Sequence, residues 1–259
     1  MSDTRFPGSS PAPGSSPAPG LEMAPAPETA PAPDIRAAAR ALHAGGAVIL
    51  PNPSPLTYVV TATTPRAVNE AKGRPAGQEV ALWVHDDATW RDLTTLLDLE
   101  PVALEVAFTL LREQLVTLLV PVRADAPATV WTAPALRDGH LLLFGAHWRP
   151  VSTLLARFPR LYVSSANRTG MPPADTADRA TAMFGPGVPV VDADALRRPG
   201  TPHAATTMLR MDAAGDLTQI RQGAQDLAHG TDPDAYLAHL RATEPHRWRS
   251  FGRRNPAST

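Results

Sequence analysis

The sequence predicts an α/β protein with a mixed sheet. Short apolar runs of strand length alternate with amphipathic runs of helix length, and Gly, Pro or a helix-capping residue marks the breaks between them. Composition adds a third observation. Hydrophobic residues make up 43% of the 259-residue chain but aromatics only 5%, so the core must rest on Leu, Val, Ile and Ala.

The first 33 residues are Pro, Ala, Gly and Ser with a near-repeat, too little apolar surface to offset chain entropy, and a disordered tail is expected there. Asp34 is placed to cap a helix carrying Ile35, Ala38, Ala39 and Leu42 on one face, which Gly45-Gly46 ends. A buried strand over Ala47 to Leu50 follows, then an irregular loop forced by Pro51, Pro53 and Pro55, then a strand over Leu56 to Thr61. Thr64-Pro65 starts a helix that runs to about Lys72. After a loop, Val80 to Val84 reads as a strand, Asp86 to Leu99 and Val102 to Arg112 as helices, and Leu115 to Val120 and Leu141 to Phe144 as strands. The remaining helices are expected at Val151 to Phe158, Thr176 to Phe184 and Pro233 to Leu240. Strands are expected at Leu161 to Val163, Val188 to Val191, Thr206 to Met211 and Leu217 to Arg221. Composition shifts after Gly223, so the domain is drawn over 34–224, with a partly helical extension and a flexible basic tail over 225–259.

The net charge of −1 gives no global attraction to nucleic acid. The absence of cysteine excludes disulfides, thiolate metal sites and cysteine nucleophiles, and it fits a cytoplasmic setting. No run is apolar and long enough to span a membrane, and the N-terminus lacks a signal peptide's features. The eight histidines show no ligand spacing, so no protein-built metal site is expected. The run Arg247 to Arg254 carries two aromatics among its cations, a composition that suits RNA phosphates and bases as well as a plain solvated tail.

Two loops hold groups suited to an anion. Lys72-Gly73-Arg74-Pro75 sets an ammonium point charge two residues from a guanidinium fork. Ser164-Ser165-Ala166-Asn167-Arg168-Thr169-Gly170 follows a strand and offers short hydroxyl and amide side chains where α/β sheets bind ligands, although ordinary turns use the same residues. There is no Walker-type Gly-Lys-Ser and no dinucleotide fingerprint.

Taken in order, Gly45-Gly46, Lys72-Gly73-Arg74-Pro75, Ser165-Ala166-Asn167-Arg168-Thr169-Gly170-Met171-Pro172-Pro173, Thr206-Thr207 and Arg221-Gln222-Gly223-Ala224 resemble the YrdC-like family, which includes the threonylcarbamoyl-adenylate synthases of tRNA modification. The resemblance implies an open twisted mixed sheet with flanking helices that form a concave cavity. It implies ATP with Mg²⁺ as the nucleotide, beside threonine and bicarbonate. Lys72 and Arg74 then look like the catalytic, phosphate-contacting pair, and Ser165, Asn167, Thr207 and Arg221 like further nucleotide contacts. Asn52, Thr117 and Ser165 fall on the substrate side.

Several positions depart from the pattern. The family's Pro-Thr-Glu-Thr-x-Tyr-Gly-Leu loop aligns with Pro51 to Tyr58 and keeps only its proline; the Pro-Gly-Pro-x-Thr turn aligns with Glu113 to Thr117 and keeps only Thr117. An arginine is replaced at Phe144 and an aspartate at Arg210. Each lost polar partner weakens discrimination for the family's substrate by ~1–3 kcal/mol. Three readings follow: an ATP-dependent threonylcarbamoyl-AMP synthase, a divergent paralogue acting on another carboxylated or carbamoyl substrate, and a non-catalytic double-stranded-RNA-binding module. The oligomeric state is not legible.

Overall fold

The computed structural model describes residues 34–52, 57–127, 129–145, 149–197, 203–230 and 232–243. The tail expected over 1–33, residues 53–56 of the Pro-rich loop and the basic run 247–254 lie outside these residues.

Nine strands form one mixed sheet: β1 (Val48–Asn52), β2 (Thr57–Ala62), β3 (Ala81–Val84), β4 (Thr117–Pro121), β5 (Leu136–Arg137), β6 (His140–Gly145), β7 (Tyr162–Ser165), β8 (Met208–Met211) and β9 (Leu217–Arg221). Their order is β1-β2-β7-β3-β6-β4-β8-β9, with β5 paired to β6. β3 with β6 and β4 with β8 are parallel; the other pairs are antiparallel. Eight helices complete the described chain: α1 (Arg36–His43), α2 (Pro65–Lys72), α3 (Asp87–Thr94), α4 (Pro101–Arg112), α5 (Arg149–Leu155), α6 (Ala177–Phe184), α7 (Ala224–Leu227) and α8 (Pro233–Thr243).

Alternation along the strands explains why the sheet has two buried faces. Ile49, Tyr58, Val60, Leu82, Leu141 and Leu143 point to one side, where α2, α3, α4, α6 and α8 supply Val68, Leu93, Leu110, Ala180 and Leu237. Leu50, Val59, Ala81, Trp83, Phe144 and Val163 point to the other, against Leu42 of α1 and Leu154 of α5. The alternation is strict, so a one-residue slip in any central strand would exchange the two sets.

Local chemistry sets the helix starts. Thr64, Asp86 and Thr176 each accept a hydrogen bond from a backbone N–H of the first turn, at 3.2, 2.7 and 3.1 Å. Asp34 does not cap α1. Ile35 holds the cap position, and Asp34 binds the Arg36 amide and guanidinium instead.

Three further expectations are corrected. Pro51 continues β1 rather than opening a loop. It stands opposite Tyr58, whose N–H and C=O turn away to Ala174 and Ala166, so the missing proline N–H faces outward and breaks no ladder bond. The helix expected to reach Leu99 stops at Thr94, because Leu97 bridges to Val122 and Pro101 needs an extended residue before it. Val188 to Val191 makes a single bridge, Val190 to Ile49, rather than a strand. Beyond Ala224, α7 begins, and Tyr236, Leu237 and Leu240 of α8 belong to the same core cluster as the sheet.

Candidate functional site

A cavity of about 240 Å³ opens on the face of the sheet that carries Val59, Ala81, Phe144 and Val163. Those residues give it an apolar floor. Its polar lining comes from both ends of the sheet: Asn52 and Thr57 from β1 and β2, Ser164 and Ser165 from β7, Thr117 from β4, Arg74 and Glu79 from the α2–β3 loop, and Thr206 and Arg221 from the β8–β9 end.

At one end, α2 delivers the cations. Gly73 adopts φ +65°, closes the helix and turns the chain back on itself. The Arg74 guanidinium then donates to Asn69 Oδ1 at 2.7 Å, while the Asn69 amide donates to Ala76 O and Gln78 O at 3.1 and 2.7 Å and pins the loop. The Lys72 ammonium, 5% exposed, donates to Asn167 Oδ1 at 2.8 Å and to the Ser165 carbonyl. The Ser165 hydroxyl donates to the same Asn167 oxygen at 2.6 Å, and the Asn167 amide closes its own loop on Met171 O. Lys72, Ser165 and Asn167 are therefore one hydrogen-bonded cluster, of which Ser165 lines the cavity while Lys72 and Asn167 stand behind it; Arg74 lines the cavity and is held separately by Asn69.

At the other end, Arg221 donates to Thr206 O at 2.8 Å, and Asn52 donates to Thr206 Oγ1 at 2.8 Å. Thr117 also lines the cavity. Thr207 does not: it is fully buried and its hydroxyl donates to Asp226 Oδ1 at 2.6 Å, on the far side of the chain from the cavity. Successive residues of an extended segment face opposite ways, and Thr206 is the one that faces in.

The three cations share one electrostatic pattern. Burial first, then the nearby positive charges of Arg74 and Arg168, push the Lys72 ammonium down to about 7. Burial also lowers Arg74 and Arg221 from the ordinary guanidinium value. The ion pairs among the described residues include none of the three cations. Their acceptors are neutral carbonyl and amide oxygens. Two polar atoms on the cavity lining, Arg74 Nε and Asn52 Oδ1, are buried without a partner. A buried polar atom calls for a partner, which a water or a ligand in the cavity would supply here.

The sequence matches no family model and no curated protein. Solved structures do match. P. abyssi Sua5, solved in complex with L-threonine, aligns at 20% identity over 73% of this chain and 54% of its own, with a TM-score of 0.53. The chain has a YrdC-like fold. E. coli YciO aligns over 78% of this chain and 92% of its own, at 13% identity and a TM-score of 0.52. HypF, solved in a phosphate- and nucleotide-bound form, aligns over 74% of this chain and 29% of its own, at 15% identity and a TM-score of 0.54. This chain thus spans about half the length of the Sua5 protein and less than a third of HypF.

Phe144, Thr206 and Glu79 line the cavity without having been singled out as contacts. Phe144 packs edge-on against Trp83, ring centroids 5.3 Å apart, at the position where the resemblance expects an arginine. Its side of the sheet was predictable from strand alternation; its neighbours across the strands were not.

Proposed function

We propose that this protein is a nucleotidyltransferase of the threonylcarbamoyl-adenylate synthase kind, binding ATP and a small carboxylated acceptor in the cavity. One observation carries the reading: Arg74 and Arg221 line one cavity, Lys72 is bonded to Ser165 on its lining, none of the three is in an ion pair among the described residues, and the Arg74 Nε–H is left unpaired. Phosphate oxygens supply what that arrangement lacks. The neighbouring structures, one solved with L-threonine and one with phosphate and nucleotide, support the same ligand classes.

In the reaction, a carbamate oxygen of an N-carboxylated amino acid forms a bond to the α-phosphorus as the bond from that phosphorus to the bridging oxygen breaks. Pyrophosphate leaves with the electron pair, and no proton has to be removed from the acceptor. Lys72 and Arg74 would neutralise the charge that builds on the departing pyrophosphate, and Arg221 would hold the anion from the opposite end. Ser165 and Asn167 fix the Lys72 ammonium in place. Magnesium fits as a companion of the phosphates, to which it adds charge neutralisation: the lining offers hydroxyls, amides and cations, with Glu79 as its carboxylate.

A second reading keeps the nucleotide and changes the acceptor. Phe144 favours it, because a buried ring replaces a cation against which an acceptor carboxylate would sit. Both are separated by pyrophosphate release from ATP and bicarbonate across a panel of small amino acids and carbamoyl compounds. Threonine-dependent release is expected on the first reading, and Arg74→Ala should lower it by at least a hundredfold, about 2.7 kcal/mol. Release with a different acceptor selects the second. No release with any acceptor, and no stabilisation of the protein by ATP, would sink both.

A further inference from the structure

Arg168 follows Asn167 in the chain, and Ala71 precedes Lys72. The Arg168 guanidinium joins the two segments. Its Nη1 donates to Ala71 O at 3.1 Å and its Nε to Met183 O at 3.3 Å, and its centre lies 5.1 Å from the centroid of the Phe184 ring. Ala71 and Met183 lie in the last turns of α2 and α6, where carbonyls lack helical partners and the helix dipole is negative. Gly73 helps to make the room: a Cβ there would sit 3.2 Å from Arg168 Nη1. The ion pairs among the described residues do not include Arg168, so its charge stands uncancelled beside the site.

We propose that Arg168 is a positioning residue for the cavity: its guanidinium locks the helix end that carries Lys72 to the loop that carries Asn167. The role rests on reading the cavity as a phosphate site. Its charge has a second effect, since Arg168 and Arg74 are the two cations that, after burial, hold Lys72 down near neutrality. Ser165, whose carbonyl accepts from Lys72, lines the cavity, so an anion entering it brings a countercharge close behind that residue and favours the protonated Lys72. Below pH 7 that proton is already present in the free protein. Above pH 7 it must be taken up on binding, so anion affinity falls by up to about tenfold per pH unit.

The test follows Lys72 and binding separately in Arg168→Met and Arg168→Lys. With carbon-13-labelled lysine, the Lys72 midpoint is expected near 7 in the native chain. It should rise by roughly half a unit or more in Arg168→Met, which removes the like charge, and stay in place in Arg168→Lys, which keeps it. Pyrophosphate affinity below pH 7 should fall by roughly threefold or more in both variants, because a lysine lacks the fork that spans the two helix ends. In Arg168→Met the fall above neutrality should also begin at higher pH. An unchanged Lys72 midpoint in Arg168→Met, or a lowered Tm with an equal affinity loss at every pH, would overturn the proposal and leave Arg168 a structural staple. If the native chain binds no pyrophosphate, the proposed function fails, while the Lys72 midpoints still decide what Arg168 does.

Discussion

Asp226 is 2% exposed, and the donors bonded to its carboxylate among the described residues are neutral. Its Oδ1 accepts from the Thr207 hydroxyl and the Gly223 N–H, both at 2.6 Å, and its Oδ2 from the Gln219 amide at 2.9 Å. This carboxylate ties the segment before β8 to the turn after β9, and so holds Thr206 and Arg221 on the cavity. Asp226→Ala would leave three buried donors unpaired, and a loss of about 3 kcal/mol or more is expected in urea unfolding. Asp226→Asn should stay within roughly 1 kcal/mol of the native chain. Gln219 Oε1 is itself buried without a partner, and a flipped Gln219 amide would accept from the new asparagine. Equal losses for the two variants would show that the charge matters rather than the number of acceptors. The same network shows why the sequence could not choose between Thr206 and Thr207. Both are threonines at the mouth of a strand, and the choice depends on a residue nineteen positions later.

At the scale of the elements, α4 and β6 approach each other closely at Gly145. A Cβ at Gly145 would lie 1.9 Å from the Leu111 carbonyl oxygen, a backbone atom with no freedom to move aside. Gly145→Ala should therefore cost at least the roughly 1–3 kcal/mol typical of overpacking, read as a lower Tm. An unchanged Tm would mean that α4 can slide along the sheet. Helix starts were legible because a cap is a local event: Thr64, Asp86 and Thr176 each bond within their own first turn. Pro51 misled because its tolerance depends on which way Tyr58, on the neighbouring strand, turns its N–H. The short β5 was readable in principle. Asp138-Gly139, both at positive φ, form the kind of two-residue turn that joins a hairpin, but β5 is too short to show a period of its own.

For the whole molecule, one core cluster runs from Ile49 near the start of the sheet to Leu240 in α8. A chain stopped after Ala224 would lose Asp226, Tyr236, Leu237 and Leu240 together. It is expected to unfold without a cooperative transition in calorimetry; a retained native Tm would show that α8 is an accessory. The class of fold was legible because alternation of strand and helix periods runs the length of the chain. Lys72, Arg74, Ser165 and Asn167 were legible because their chemistry sits in two short segments. The cavity's other end was not, because the strand order brings Asn52 to Thr206 across 154 positions of sequence. Nothing local to either residue encodes that meeting.

The first strand has a consequence for how this protein behaves when crowded. Along its outward side, the Ile49 N–H and C=O are already bonded to Pro189 and Val191, and two residues on Pro51 has no N–H to offer. A strand from a second chain would find no free donor there to pair with. Strand addition directly onto β1 is therefore disfavoured by its backbone rather than by its surface charge.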